Sequence, residues 1–240
     1  MERFSRTESL IGLPDAQKLY AARVAVFGLG GVGGYAVEAL ARVGVGTLIL
    51  VDGDKINESN INRQLIALTS TLGQYKAEAF KNRIAEINPY AEVIAKNVFY
   101  TAENAEIVDF SELDYIIDAI DSVSGKLEII RRAKEADIPV ISAMGAGNKL
   151  NASFKVADIS KTAACPLARI MRRELKKQGI SGVKTVYSEE IPRVKTTASG
   201  EAERGVPASI SYVPSVMGLI IAGEVIKDLI GANDGKGDKK

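Results

Sequence analysis

The 240-residue sequence predicts an α/β fold: a doubly wound, Rossmann-like, mainly parallel sheet, extended by antiparallel strands in the C-terminal third. Three observations lead there. Short apolar runs alternate with stretches of helical spacing through the first 150 residues. The first apolar run ends on a glycine cluster, GLGGVGG, that opens a helix. The second ends on an acid, Asp52, near the position where a carboxylate meets a ribose hydroxyl in this architecture.

Taken in order, Val24 to Phe27 is an apolar run and Val32 to Val43 turns to helical spacing. Thr47 to Val51 reads as a second buried strand. From Gln74 to Ile87, Ala77, Phe80, Ile84 and Ile87 recur three and four apart, the mark of an amphipathic helix. Strands return at Glu92 to Phe99, Tyr115 to Ile120 and Pro139 to Ala143, with a helix over Gly125 to Ala136. Past Gly147 the pattern changes. Ser153 to Ile159, Val183 to Ser188 and Ser209 to Val213 read as strands, with a basic helix between the first two and a closing helix from Ser215 to Ile230. Glu189 to Pro207 is charged, holds two prolines and lacks an apolar period, so it reads as a long mobile loop, a length that usually accompanies function. The tail Gly231 to Lys240 reads as disordered.

Composition excludes several chemistries. With no histidine there is no imidazole base or ligand, and one cysteine closes neither an internal disulfide nor a zinc clamp. The N-terminal residues break every short apolar run with charges, and the uncharged stretch Gly205 to Gly223 holds Pro207 and Pro214. Neither suits a membrane anchor, and a cytoplasmic location is expected.

Glycines 28, 30, 31, 33 and 34 allow a tight turn and let backbone N–H groups approach phosphate at a helix N-terminus. With Asp52 they indicate an adenine nucleotide without saying which one. The next segment, VDGDKINESNINRQ, is a dense polar cluster that a dinucleotide site has little use for. It sets Asn60, Arg63 and Gln64 three and four apart on one helical face, and Lys76 follows in GQYK. A guanidinium and an ammonium beside a glycine loop suit a triphosphate. The fourth strand delivers Asp118 and Asp121 to the edge where such sheets bind ligands, and Asp121 is the better candidate for Mg²⁺, because Asp118 lies within an apolar run.

These residues resemble the ATP-dependent adenylating superfamily that includes ubiquitin-activating enzymes and bacterial sulfur-carrier adenylyltransferases. The likeness runs over GLGGVG, LVDGDKINESNINRQ, GQYK, INP and DAIDS, and resumes in PSVMGLIIAGEVIK. It implies that ATP is bound by Gly28, Gly30, Gly31 and Gly33 at the phosphates, Asp52 at the ribose, Asp54 beside them, and Asn60, Arg63, Gln64 and Lys76 around the triphosphate, with Asp121 holding Mg²⁺. It also implies that Arg6 reaches across a homodimer into the partner's site. On this reading one domain spans residues 1–230, its nucleotide-binding half ending near residue 150 and the remainder serving substrate and dimer contacts. Two departures narrow the group: the zinc cysteines of the carrier-activating branch are missing, so no zinc is expected, and AIDSV stands where TDN is common. AIDSV, the GAG at Gly145 to Gly147 and VADISKTAACPLARIMRRELKK resemble the tRNA threonylcarbamoyladenosine dehydratases. The resemblance implies ATP-dependent cyclisation of that nucleoside at position 37 of tRNAs through an acyl adenylate. The runner-up is activation of a small sulfur-carrier or ubiquitin-like protein. A structural monovalent cation and sulfur-transfer partners are compatible with either.

Two further features belong to one helix. Cys165 precedes Pro166 at a helix start, where a thiolate is favoured, so it is a candidate nucleophile; the alternative is a small structural thiol, since intramolecular ring closure has no need of a relay cysteine. Arg169, Arg172, Arg173, Lys176 and Lys177 form a stripe opposite Leu167, Ile170, Met171 and Leu175. In a chain of net charge +1, that stripe is expected to contact tRNA, assisted by Lys184, Arg193, Lys195 and Arg204.

Overall fold

The computed structural model of the chain describes residues 2–193 and 207–232. Most of the expected loop 189–207, nearly all of the expected tail, Lys195 and Arg204 lie outside the described residues. Seven strands form one sheet in the order β3-β2-β1-β4-β5-β7-β6. They are β1 Arg23–Phe27, β2 Thr47–Val51, β3 Glu92–Lys96, β4 Tyr115–Asp118, β5 Val140–Ala143, β6 Lys155–Asp158 and β7 Lys184–Tyr187. β1 to β5 are parallel to one another, β7 joins β5 in parallel, and the antiparallel extension is the edge strand β6. The strand order reverses between β1 and β4, which opens a crevice beyond their carboxyl ends.

Helices cover both faces. They are α1 Ser5–Ile11, α2 Leu13–Ala21, α3 Gly33–Val43, α4 Lys76–Ile87, α5 Val123–Glu135, α6 Pro166–Lys177 and α7 Tyr212–Ile230. Alternation along β1 divides the core: Val24 and Val26 pack with Leu40 of α3, Phe80 of α4 and Ile221 of α7, while Ala25 and Phe27 pack with Ile129 of α5 and Met171 of α6. Burying a side chain such as Leu40 or Met171 contributes on the order of 1.5–3 kcal/mol. Among the described residues no helix is long and apolar enough to cross a membrane.

Two expectations fail. Ser209 to Val213 is not a strand; the chain is irregular to Ile210, and α7 begins at Tyr212, earlier than Ser215. Alternating polar and β-branched residues mimic a strand there. Val213, Met217, Ile221 and Val225 are instead fully buried along one helical face, and Pro214 sits in the first turn, where its missing N–H is not needed. α1 and α2, over residues read only as a charged N-terminus, pack on each other, and α2 packs on α7.

Candidate active site

The glycine loop lies at the centre of the crevice, between the ends of β1, β2 and β4. Gly28 has φ +85°, and a Cβ there would sit 2.6 Å from the Ala119 carbonyl oxygen; at Gly33 a Cβ would fall 1.8 Å from the carbonyl of Gly28. Only glycine lets the loop close so tightly over the first turn of α3. A Cβ on Gly30 would meet nothing nearer than the Gln64 amide at 3.8 Å, so that face of the loop stays open.

Asp52 follows β2 directly and is buried at 9% exposure. Its Oδ2 accepts the N–H of Leu29 at 2.6 Å and its Oδ1 accepts the N–H of Asp54 at 2.8 Å. Burial pushes this carboxyl above the usual aspartate range, opposed by the Lys76 charge and the two backbone donors. A carboxylate oxygen can accept more than one hydrogen bond, so Asp52 keeps capacity for a ribose hydroxyl. Lys76 arrives by a local antiparallel contact: Ile56 N–H bonds the Gln74 carbonyl, and Lys76 N–H bonds that of Asp54. Its ammonium lies 2.6 Å from Asp54 Oδ2 and 3.8 Å from Asp52 Oδ1.

Asn60 and Gln64 are both buried, and the N–H groups of Arg63 and Gln64 both bond the Asn60 carbonyl, completing the single helical turn expected from their spacing. The side chain of Asn60 accepts the N–H of Asn57. Arg63 donates to the Ser59 carbonyl and to Asn62, and its stem lies against Gly31. Gln64 Oε1 is buried beside the loop with no hydrogen-bond partner. An orphaned buried acceptor of this kind costs free energy until something donates to it. The open Gly30 face, the spare capacity of Asp52 and the orphaned Gln64 oxygen together fit a nucleotide.

Asp121 is exposed just beyond β4, whereas Asp118 is fully buried and paired with Lys126. Of the two carboxylates, Asp121 is the one accessible from the crevice side of the loop. Among the described residues no group of three or more His, Cys, Asp or Glu could hold a metal, so an ion here would need phosphate oxygens as co-ligands.

Arg6 is not brought to these residues. Phe4 packs on Tyr20 and beside Gly44, and Arg3 donates to the carbonyls of Glu86 and Ile87 at the end of α4. These interactions anchor α1 toward the amino-terminal edge of the sheet, opposite the glycine loop.

The basic stripe is thinner than its spacing suggests. Arg169, Arg173, Lys176 and Lys177 are exposed on α6, but Arg172 turns back to the Thr162 carbonyl and hydroxyl, which removes it from the stripe. Arg173 and Lys177 both pair with Glu174. Ile170, expected on the buried side, is 37% exposed. Lys184, expected to assist, is tied to Asp228 and Glu224 of α7 instead. Arg193 is exposed, with its backbone N–H on the Asn148 carbonyl.

Cys165 is the N-cap residue of α6, is 3% exposed, and lies near Gly145. Sequence reasoning missed its neighbour Lys149, which is 3% exposed and donates to the Glu190 carbonyl. Burial pulls this ammonium below the usual lysine range, against the pull of Cys165 and Glu190. It missed Lys126 too. A single lysine in a charged helix carries no signal of burial.

The chain is similar to several known proteins. Residues 4–239 match the profile of the ThiF family. A tRNA threonylcarbamoyladenosine dehydratase of Bacillus subtilis is 46% identical, covering 96% of this chain and 95% of that protein. Two crystal structures of the Escherichia coli tRNA N6-threonylcarbamoyladenosine dehydratase TcdA are each 32% identical. The complex with AMP has TM-score 0.88 and covers 97% of this chain and 96% of the other; the complex with ATP has TM-score 0.85 and covers 98% and 97%.

Proposed function

The chain belongs to the ThiF family, and from that membership we propose that it is an ATP-dependent tRNA threonylcarbamoyladenosine dehydratase. The observation that carries the reading is the meeting at one glycine loop of Asp52, Lys76, Arg63 and the unpartnered Gln64 oxygen.

In the proposed reaction, an oxygen of the threonyl carboxylate bonds to the α-phosphorus of ATP as the bond to the β-phosphate oxygen breaks, releasing pyrophosphate. A nitrogen or oxygen of the adjacent carbamoyl group then attacks the activated carbonyl carbon. The ring closes, AMP departs with the carboxylate oxygen, and the attacking group loses its proton. The net change is loss of water from the nucleoside. Because attacker and carbonyl share one substrate, effective molarity reaches about 10⁵–10⁸ M in well-oriented cases, and neither a relay cysteine nor an imidazole is required.

The residues divide the work. Gly28, Gly30, Gly31 and Gly33 bring backbone N–H groups to the phosphates. Asp52, with Asp54 beside it, holds the ribose side, Asn60 and Gln64 line the nucleotide next to Arg63, and the Gln64 oxygen gains a donor from a nucleotide hydroxyl or amine. Arg63 and Lys76 neutralise the triphosphate so that a carboxylate can approach, and Asp121 would hold Mg²⁺, which adds positive charge at the phosphate oxygens when bound. Arg6, exposed on α1 shortly after Arg3, which is tied to the end of α4, is assigned to the partner's site in a homodimer. The exposed cations of α6, Arg169, Arg173, Lys176 and Lys177, are assigned to the tRNA backbone.

The test is incubation of the protein with ATP, Mg²⁺ and tRNA carrying the modified nucleoside. AMP and pyrophosphate should form only with modified tRNA, and mass spectrometry should find the nucleoside lighter by one water. An unchanged nucleoside would rule the reading out.

A further inference from the structure

Lys126 stands out because the reaction just described gives it no task. It lies on the first turns of α5, and both it and Asp118 are fully buried. Its ammonium is 3.1 Å from each Asp118 oxygen, 2.8 Å from the Ala143 carbonyl and 3.5 Å from Ser142 Oγ. The Ser142 hydroxyl in turn donates to Asp118 Oδ2 at 2.5 Å. Such a pair is a poor route to stability, because well-packed apolar side chains of the same volume serve as well or better. What it can supply is a fixed relation between the elements it joins.

Those elements shape the crevice. Asp118 is the last residue of β4 and Ala143 the last of β5. Beyond Asp118 comes Ala119, whose N–H bonds the Phe27 carbonyl and whose own carbonyl lies against Gly28. The chain then passes Asp121 to Ser122, the N-cap of α5, whose carbonyl accepts the N–H of Lys126. The Lys126 side chain returns to Asp118, so one ammonium closes the backbone excursion that carries Asp121 into a ring. The same ammonium holds the carbonyl from which Met144 to Asn148 departs toward Cys165 and Lys149.

We propose that Lys126 is a positioning residue for adenylation, holding the Ala119 to Ser122 loop, and with it Asp121, in register with the glycine loop through Asp118 and the Ala143 carbonyl. It touches no substrate. The proposal rests on the ATP-dependent reading above.

The test uses the full chain with Asp118→Leu, Ser142→Ala and Lys126→Met combined, which replaces the ion pair by apolar groups. The thermal midpoint should stay close to that of the wild type, and the Kd for ATP without Mg²⁺ should stay within about twofold. The kcat for AMP formation should fall at least about tenfold, as a shift of a positioned group by a fraction of an ångström allows. The tightening of ATP binding by Mg²⁺, read by calorimetry without any turnover, should be largely lost. Ser142→Ala alone guards against a triple variant that fails to fold: it should fold normally, lower kcat about threefold and leave the KM for ATP unchanged. A wild-type kcat and Mg²⁺ response in whichever of these variants folds would overturn the proposal and leave the pair purely structural. Failure of the functional reading shows separately, as a wild-type protein that forms no AMP with modified tRNA, and the proposal falls with it.

Discussion

Two aspartate–lysine pairs stand at the carboxyl edge of the same sheet and differ in one respect. Lys126 and Asp118 are sealed from solvent and each polar atom has its partner within the fold. Lys76 is buried too, yet it reaches toward two acids at once, 2.6 Å from half-exposed Asp54 and 3.8 Å from Asp52, on the side of the sheet where the glycine loop also meets the orphaned Gln64 oxygen. A saturated pair can only hold; an unsaturated one has room to take a ligand. The same residue types thus become scaffold or site according to how many of their bonds the protein has left unmade.

That contrast can be broken by substitution. The largest effect is expected for Lys126→Met alone, which strands a buried carboxylate and should cost about 3–5 kcal/mol of unfolding free energy in a denaturant titration. Lys76→Met should cost less stability, because Asp54 can rehydrate and Asp52 keeps its two backbone donors, and should lower kcat/KM for ATP by about 10²–10³-fold, the usual cost of removing a group that stabilises developing charge. Equal losses of stability in the two variants would erase the distinction.

A cluster of intermediate exposure sharpens it. Glu38 accepts from Arg83 and Arg42; burial raises its carboxyl, but the two guanidinium groups outweigh that and hold it below its usual 4.5. Since its pKa is lower folded than unfolded, its stabilisation is present above the unfolded value and lost as the pH falls through the folded one. Glu38→Gln should cost about 1 kcal/mol near neutrality, with the deficit vanishing under acid conditions. Asp52 has the opposite sign. Its raised pKa means that ionising it weakens the fold as the pH rises from the usual 3.8 through the folded value, while ATP binding, if Asp52 holds the ribose as proposed, should strengthen over the same window. The smallest effects are expected at the surface. Arg169→Glu with Lys176→Glu should weaken tRNA binding and lower the slope of log Kd against log salt by about one for each phosphate no longer neutralised, with ATP affinity unaltered. In Cys165→Ala, kcat should stay within about twofold of the wild type, since ring closure is intramolecular.

The unsaturated pair was legible in the sequence and the saturated one was not. Asp52, Asn60, Arg63, Gln64 and Lys76 stand at spacings tied to a strand end, a helical turn and a helix start, and local structure is enough to bring them together. Asp118 and Lys126 meet only because β4, β5 and α5 converge, and the bond to Ala143 spans 17 residues. Lys184 misled for the same reason: its acids, Asp228 and Glu224, lie on α7, 44 and 40 residues away in sequence. Arg172 misled because a long side chain can turn back to a loop ten residues earlier, a direction that helical spacing does not encode. The parallel order of the first five strands followed from alternation of strand and helix. The strand expected at Ser209 to Val213 failed because alternation over five residues fits either period once the buried face is unknown.

The position of β7 has a consequence in time. β6 is made before β7, yet among the described residues its one neighbour in the sheet is β7, which lies between it and β5. During synthesis β6 must wait for the 25 residues that separate Asp158 from Lys184, about one to five seconds at ribosomal rates of about 5–20 residues per second. Through that interval the outer edge of β5 and all of β6 expose unpaired backbone groups, so this is when the nascent chain is most open to mispairing or capture by a chaperone.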